Sequence, residues 1–111
     1  MKGLIVTADH TVQLVDDIPM PEIGPYEALV RIDCCMICNG TDMEILRGQL
    51  PEAAEYPLML GHEAAGHVVR AGEKVRSFQP GDQVIRACLP PNARYASSWG
   101  GFSEYGVVLD Y

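Results

Sequence analysis

The sequence predicts a mainly β fold, a partly open β-barrel with one short helix. Two observations carry this. Short runs of β-branched and apolar residues recur along the chain, each cut off by a Gly, Pro, Asn or Asp turn. Only one stretch, 39–47, has the flanks of a helix. With 111 residues, 48% of them apolar, the chain can bury the core of one domain.

Residues 3–8 and 11–15 read as a hairpin about Asp9-His10, a two-residue connection. Pro19, Pro21, Gly24 and Pro25 then impose an extended loop. Residues 27–37 read as a long strand, with Ala28, Val30, Ile32 and Cys34 on one face at period two. Cys34 is therefore expected to be a small buried residue. In the helix over 39–47, Asn39 or Thr41 can serve as cap. Asp42 and Glu44 suit the positive end of its dipole, and Gly48 stops it. Residues 51–57 read as loop. A strand over 64–70 turns at Ala71-Gly72-Glu73. The turn Gln79-Pro80-Gly81-Asp82 feeds a strand over 83–89, residues 90–100 are irregular, and 102–109 form the last strand.

Composition excludes several classes. The net charge is −7 and the basic residues are scattered, so no nucleic-acid partner is expected. No apolar run approaches a membrane span, and Met1-Lys2-Gly3-Leu4-Ile5-Val6 lacks the long apolar region of a signal peptide. Four cysteines, at 34, 35, 38 and 88, do not resemble a secreted disulfide framework, so the cytoplasm is expected. No Gly-x-Gly-x-x-Gly occurs, so the dinucleotide fingerprint is missing.

The most informative stretch is Gly61-His62-Glu63-Ala64-Ala65-Gly66. It sets an imidazole beside a carboxylate, both good zinc ligands, between glycines that let the backbone turn sharply. Upstream stands Cys38, a soft sulfur donor, followed by Thr41 and Asp42. Donors on separate segments point to an open, catalytic zinc site rather than a closed structural one. His67 falls five residues after His62, one too many for a helical H-E-x-x-H pair, and reads as structural.

These residues, with Gly72, Val75, Pro80-Gly81-Asp82-Gln83-Val84 and Gly100-Gly101-Phe102-Ser103-Glu104-Tyr105, resemble the signature of zinc-containing alcohol dehydrogenases of the medium-chain dehydrogenase/reductase family. The resemblance covers nearly the whole chain. It implies that residues 1–111 are the N-terminal part of a GroES-like catalytic domain, with the nicotinamide-binding Rossmann domain outside this chain. It implies Cys38 and His62 as zinc ligands, and Glu63 either as a ligand or just outside the metal's shell, entering during ligand exchange. Asp42 resembles the carboxylate that orients the histidine ligand. Thr41 reads either as a helix cap or as the hydroxyl that passes on the substrate proton, and Glu44 as a candidate acceptor for it. The family usually has Gly where this chain has Met36, and one residue fewer between Cys and Asp.

The implied function is activation of a small alcohol or polyol by zinc for hydride transfer to NAD or NADP in a homo-oligomeric parent protein. A third protein ligand, Cys or Glu, is expected beyond residue 111. The segment alone is therefore expected to hold zinc weakly and to be inactive. No structural zinc is expected, because 90–98 contains no Cys or His. Two other readings are open. One is a free-standing GroES-like co-chaperonin module. The other is a small redox or metal protein using Cys35-x-x-Cys38.

Overall fold

A computed structural model describes all of residues 1–111. The expected mainly β architecture is what the structure has. The strands form two four-stranded sheets that do not close into a barrel. β1 (Gly3–Val6) and β2 (Val12–Val15) form the first hairpin. β3 (Glu27–Met36) leads to helix α1 (Thr41–Leu46) and a 3-10 turn (Pro51–Ala53). Then come β4 (Leu58–Met59), β5 (Glu63–Ala71), β6 (Gln83–Ile85), β7 (Ala96–Ser97) and β8 (Tyr105–Leu109). The sheet orders are β2-β1-β4-β7 and β6-β5-β3-β8.

The long strand β3 is central, antiparallel to both β5 and β8. Ala28, Leu29 and Val30 are all buried, since this part of the strand is covered on both faces. Ala28 and Val30 join Val68, Ala87 and Val108 in one core cluster. A second cluster joins Val6, Leu58 and Leu60 to Ile45 of α1. That contact docks the only α-helix against the first sheet, and Leu60 leads directly into Gly61-His62.

Several expectations are corrected. Cys34 is exposed, not buried, because the β3–β5 register shifts between Ile32 and Cys34 and ends the alternation. The strand expected over 83–89 stops at Ile85, where Arg86 takes a left-handed backbone with φ 60°. The region read as irregular, 90–100, contains β7, which pairs in parallel with β4, a short strand just after the loop expected over 51–57. Neither Asn39 nor Thr41 caps α1: the cap position is Gly40, with no side-chain cap bond.

Candidate metal centre

The strand–helix junction and the β4–β5 junction meet at one place. Gly61 sits at φ +109°, a conformation that favours glycine, and a Cβ there would lie 2.6 Å from the Phe102 amide nitrogen. This turn, tied to the Gly100–Phe102 segment by the Gly101 amide bonding the Gly61 carbonyl at 2.7 Å, presents His62 at the edge of β5. Opposite, β3 ends and the chain passes through Cys38 into α1. The residue inserted between Cys38 and Asp42 is absorbed without loss of bonding. The Asp42 amide donates to the Cys38 carbonyl at 3.2 Å, and the Asp42 carboxylate Oδ2 accepts from the Cys38 amide at 2.8 Å.

The two junctions bring three donors of different chemistry together. The Cys38 thiol, a ring nitrogen of His62 and a carboxylate oxygen of Glu63 all lie within 4.8 Å of one another. Ligands of one tetrahedral zinc stand roughly 3–4 Å apart, so small side-chain rotations bring these donors to bonding distance. His62 Nε2 faces Glu63 Oε1 at 3.8 Å, while Nδ1 faces Asp42 Oδ1 at 3.6 Å. Asp42 is 2% exposed, and both Asp42 Oδ1 and His62 Nδ1 are buried with no hydrogen-bond partner. An orphaned imidazole nitrogen facing an orphaned carboxylate oxygen, with the other nitrogen toward a second carboxylate and a thiol close by, is a donor set that fits zinc.

Other expected residues fall as follows. Thr41 is the first residue of α1 and half-buried, with its hydroxyl free of any capping role. Glu44 is exposed one turn further along the same helix. His67 stands away from the cluster and pairs with Asp33 on the outer side of the sheet. Cys35 does not join Cys38 in the cluster. It packs against Gly61 and Gly101, and burial pushes its thiol pKa up. A redox thiol needs a depressed pKa, so this environment works against the Cys35–Cys38 redox reading.

Two further features of the site carry no sequence signal. The Trp99 ring lies 5.1 Å from the His62 ring, on a backbone at φ 69° that tryptophan rarely adopts. Ile85 and Arg86 line the same hollow as His62 and Glu63. Nothing in the residue types at 85, 86 and 99 distinguishes them from ordinary surface positions.

The profile of the alcohol dehydrogenase GroES-like domain matches residues 24–110. The chain belongs to this family. Among curated relatives of the domain, an alcohol dehydrogenase of Cupriavidus necator is 38% identical over 110 residues, which is 98% of this chain and 29% of the relative. A sorbitol dehydrogenase of Ovis aries is 41% identical over 94 residues, 84% of this chain and 26% of the relative. The chain thus spans less than a third of the length of these relatives. A crystal structure assigned as a zinc-binding dehydrogenase of Sinorhizobium meliloti 1021, bound to NADP, superimposes with TM-score 0.74 at 29% identity, covering 97% of this chain and 36% of that one. The GroES-like domain found here therefore occurs in oxidoreductases several times its length. No helix of the chain is long and apolar enough to cross a membrane.

Proposed function

We propose that this chain supplies the metal-binding and proton-handling half of a zinc-dependent, NAD(P)-linked alcohol or polyol dehydrogenase. The observation that carries this reading is the convergence of Cys38, His62 and Glu63 with Asp42 behind the histidine. The zinc-binding dehydrogenase with NADP among its structural neighbours supports it further. Cys38, His62 and Glu63 are the residues that would hold zinc. Bound there, zinc would lower the pKa of a coordinated alcohol toward neutrality.

The chain's own residues do the rest of the local work. Asp42 Oδ1 stands 3.6 Å from His62 Nδ1; a small shift of the imidazole would let it accept an Nδ1–H bond and leave Nε2 free to ligate. The same carboxylate holds the Cys38 amide, so one buried group orients two ligands at once. Thr41, with its hydroxyl not engaged in capping, takes the substrate's proton toward solvent, with exposed Glu44 one turn on as acceptor. Hydride acceptance requires a nicotinamide site, and dinucleotide binding requires a Gly-rich turn that residues 1–111 do not contain. Residues 1–111 alone are accordingly inactive. Four free cysteines support a reducing compartment such as the cytoplasm.

Zinc binding with sulfur, nitrogen and oxygen ligands, measured by X-ray absorption and lost in Cys38→Ser and His62→Ala, tests the metal site. Oxidation of alcohols by the full-length protein, absent from residues 1–111, tests the division of labour. Zinc retained unchanged in both variants would refute the assignment.

A further inference from the structure

We infer that Arg86 is an anion-binding residue of the hollow that holds His62 and Glu63, so that the alcohol taken there carries a phosphate or carboxylate group. The backbone at Arg86 is left-handed, with φ 60°, a region that long side chains seldom occupy. Its amide bonds the Ala64 carbonyl at 2.6 Å, which pins it directly across from the residue after Glu63. It stands between two hollows: one it lines with His62, Glu63, Ala65 and Ile85, where it is the only Arg or Lys, and the other with Cys88 and Val107.

The guanidinium has no partner. The ion pairs of the chain engage His62, His67 and Arg94, and none engages Arg86. The neighbouring Glu63 carboxylate turns instead to His62 at 3.8 Å. Arg86 is exposed, so its unpaired fork of N–H donors is free to meet, in the hollow it shares with His62 and Glu63, a phosphate or carboxylate, which it can bind through two parallel hydrogen bonds. The chain carries a net charge of −7, which repels anions, so capturing one requires a local cation. Ile85, 73% exposed next to it, offers an apolar wall for the carbon chain between the anionic group and the hydroxyl. The substrate part of the inference rests on the proposed metal site; the anion contact at Arg86 does not.

The test uses the chain's single tryptophan as reporter, since Trp99 lies 5.1 Å from the His62 ring. Zinc-loaded protein is titrated with glycerol, glycerol 3-phosphate, glycerate and inorganic pyrophosphate while Trp99 fluorescence is followed. Glycerol 3-phosphate and glycerate are expected to bind at least about tenfold more tightly than glycerol, the effect of one charge-assisted contact. In Arg86→Gln the charged and neutral ligands bind alike, and Arg86→Lys keeps part of the difference. Arg86→Gly suits the left-handed backbone and serves as a second variant should Arg86→Gln misfold. Discrimination that survives in Arg86→Gln or Arg86→Gly overturns the inference. Loss confined to pyrophosphate overturns the substrate assignment and gives the contact to the cofactor's phosphates. Repeating the titration without zinc separates the two readings: failure to bind metal refutes the metal site, while the Arg86-dependent difference is still read.

Discussion

His62 turns its Nδ1 toward Asp42 Oδ1 at 3.6 Å, and neither buried atom has another hydrogen-bond partner. The distance is longer than a formed hydrogen bond, so the pair is poised rather than closed. Each atom is costly to leave unsatisfied, and a small shift of the imidazole satisfies both. Asp42→Ala removes this orienting contact and strands the Cys38 amide. Zinc affinity is expected to fall about 10- to 100-fold, the usual effect of losing a carboxylate behind a histidine ligand. Folding stability is expected to fall by about 1–3 kcal/mol from the unsatisfied amide. Competition against a chromophoric chelator reads the first and urea denaturation the second. Unchanged zinc affinity would leave Asp42 a purely structural residue.

Thiol reactivity follows from where each sulfur sits. Cys34 is exposed, whereas burial raises the thiol pKa of both Cys35 and Cys88. The reactive species is the thiolate, so Cys34 is expected to alkylate first with iodoacetamide near neutral pH, and Cys35 and Cys88 last. Added zinc is expected to slow Cys38 selectively. Mass spectrometry of the modified peptides resolves the order. Zinc protection at Cys35 in place of Cys38 would move the ligand assignment back onto strand β3.

Much of this was legible in the sequence, for identifiable reasons. β1, β3, β5 and β8 announce themselves through runs of apolar and β-branched residues, and all four lie where such runs fall. β4 and β7 do not, because each is two residues long and exists only through pairing with its neighbours across the fold. Cys34 departs from its expected burial for the same reason: strict alternation ends where the β3–β5 register shifts, which is decided by the partner strand. Cys38, His62, Glu63 and Asp42 were legible because donor chemistry and glycine turns are written in residue types. Arg86 and Trp99 were not, since a left-handed backbone at a non-glycine residue leaves no mark in the sequence.

Gly66 illustrates a position that tolerates no side chain despite an ordinary backbone. A Cβ there would lie 2.1 Å from the Arg31 carbonyl oxygen, a main-chain atom of the paired strand β3. Strand separation is the only relief. Gly66→Ala is expected to destabilise the fold by about 1–3 kcal/mol, as overpacking typically does. The same strand carries Glu63, the neighbour of His62, at its start, so zinc affinity is expected to drop as well. Urea midpoints for Gly66→Ala and for Gly81→Ala separate the causes. A Cβ added at Gly81 would meet nothing within 4 Å and would strain only the φ of +97°. A loss at Gly66 no larger than that at Gly81 would show that the close approach to β3 is relieved at little cost.

Acid sensitivity should come from carboxylates that are bonded in the folded chain. Asp110, just beyond β8, accepts from the Ser77 hydroxyl at 2.6 Å and from the Ser77 amide at 2.7 Å, and also from the Arg76 amide. The Ser77 hydroxyl bond, then the two amides, hold its carboxyl below the ordinary range. Asp17 is lowered in the same direction, first by the Tyr95 hydroxyl and then by Arg94. A carboxylate with a folded pKa below its unfolded value of about 3.9 stabilises the fold fully above that value. The contribution disappears as pH falls through the lower folded value. Asp110→Asn is therefore expected to lower stability at pH 7 and to converge with the unmodified chain as pH falls below the ordinary carboxylate range, retaining the acid dependence due to Asp17. Urea midpoints across pH 2 to 7 measure this. A gap between the two proteins that stays constant over the range would mean that the Ser77 and Arg76 contacts hold the neutral side chain as firmly as the carboxylate.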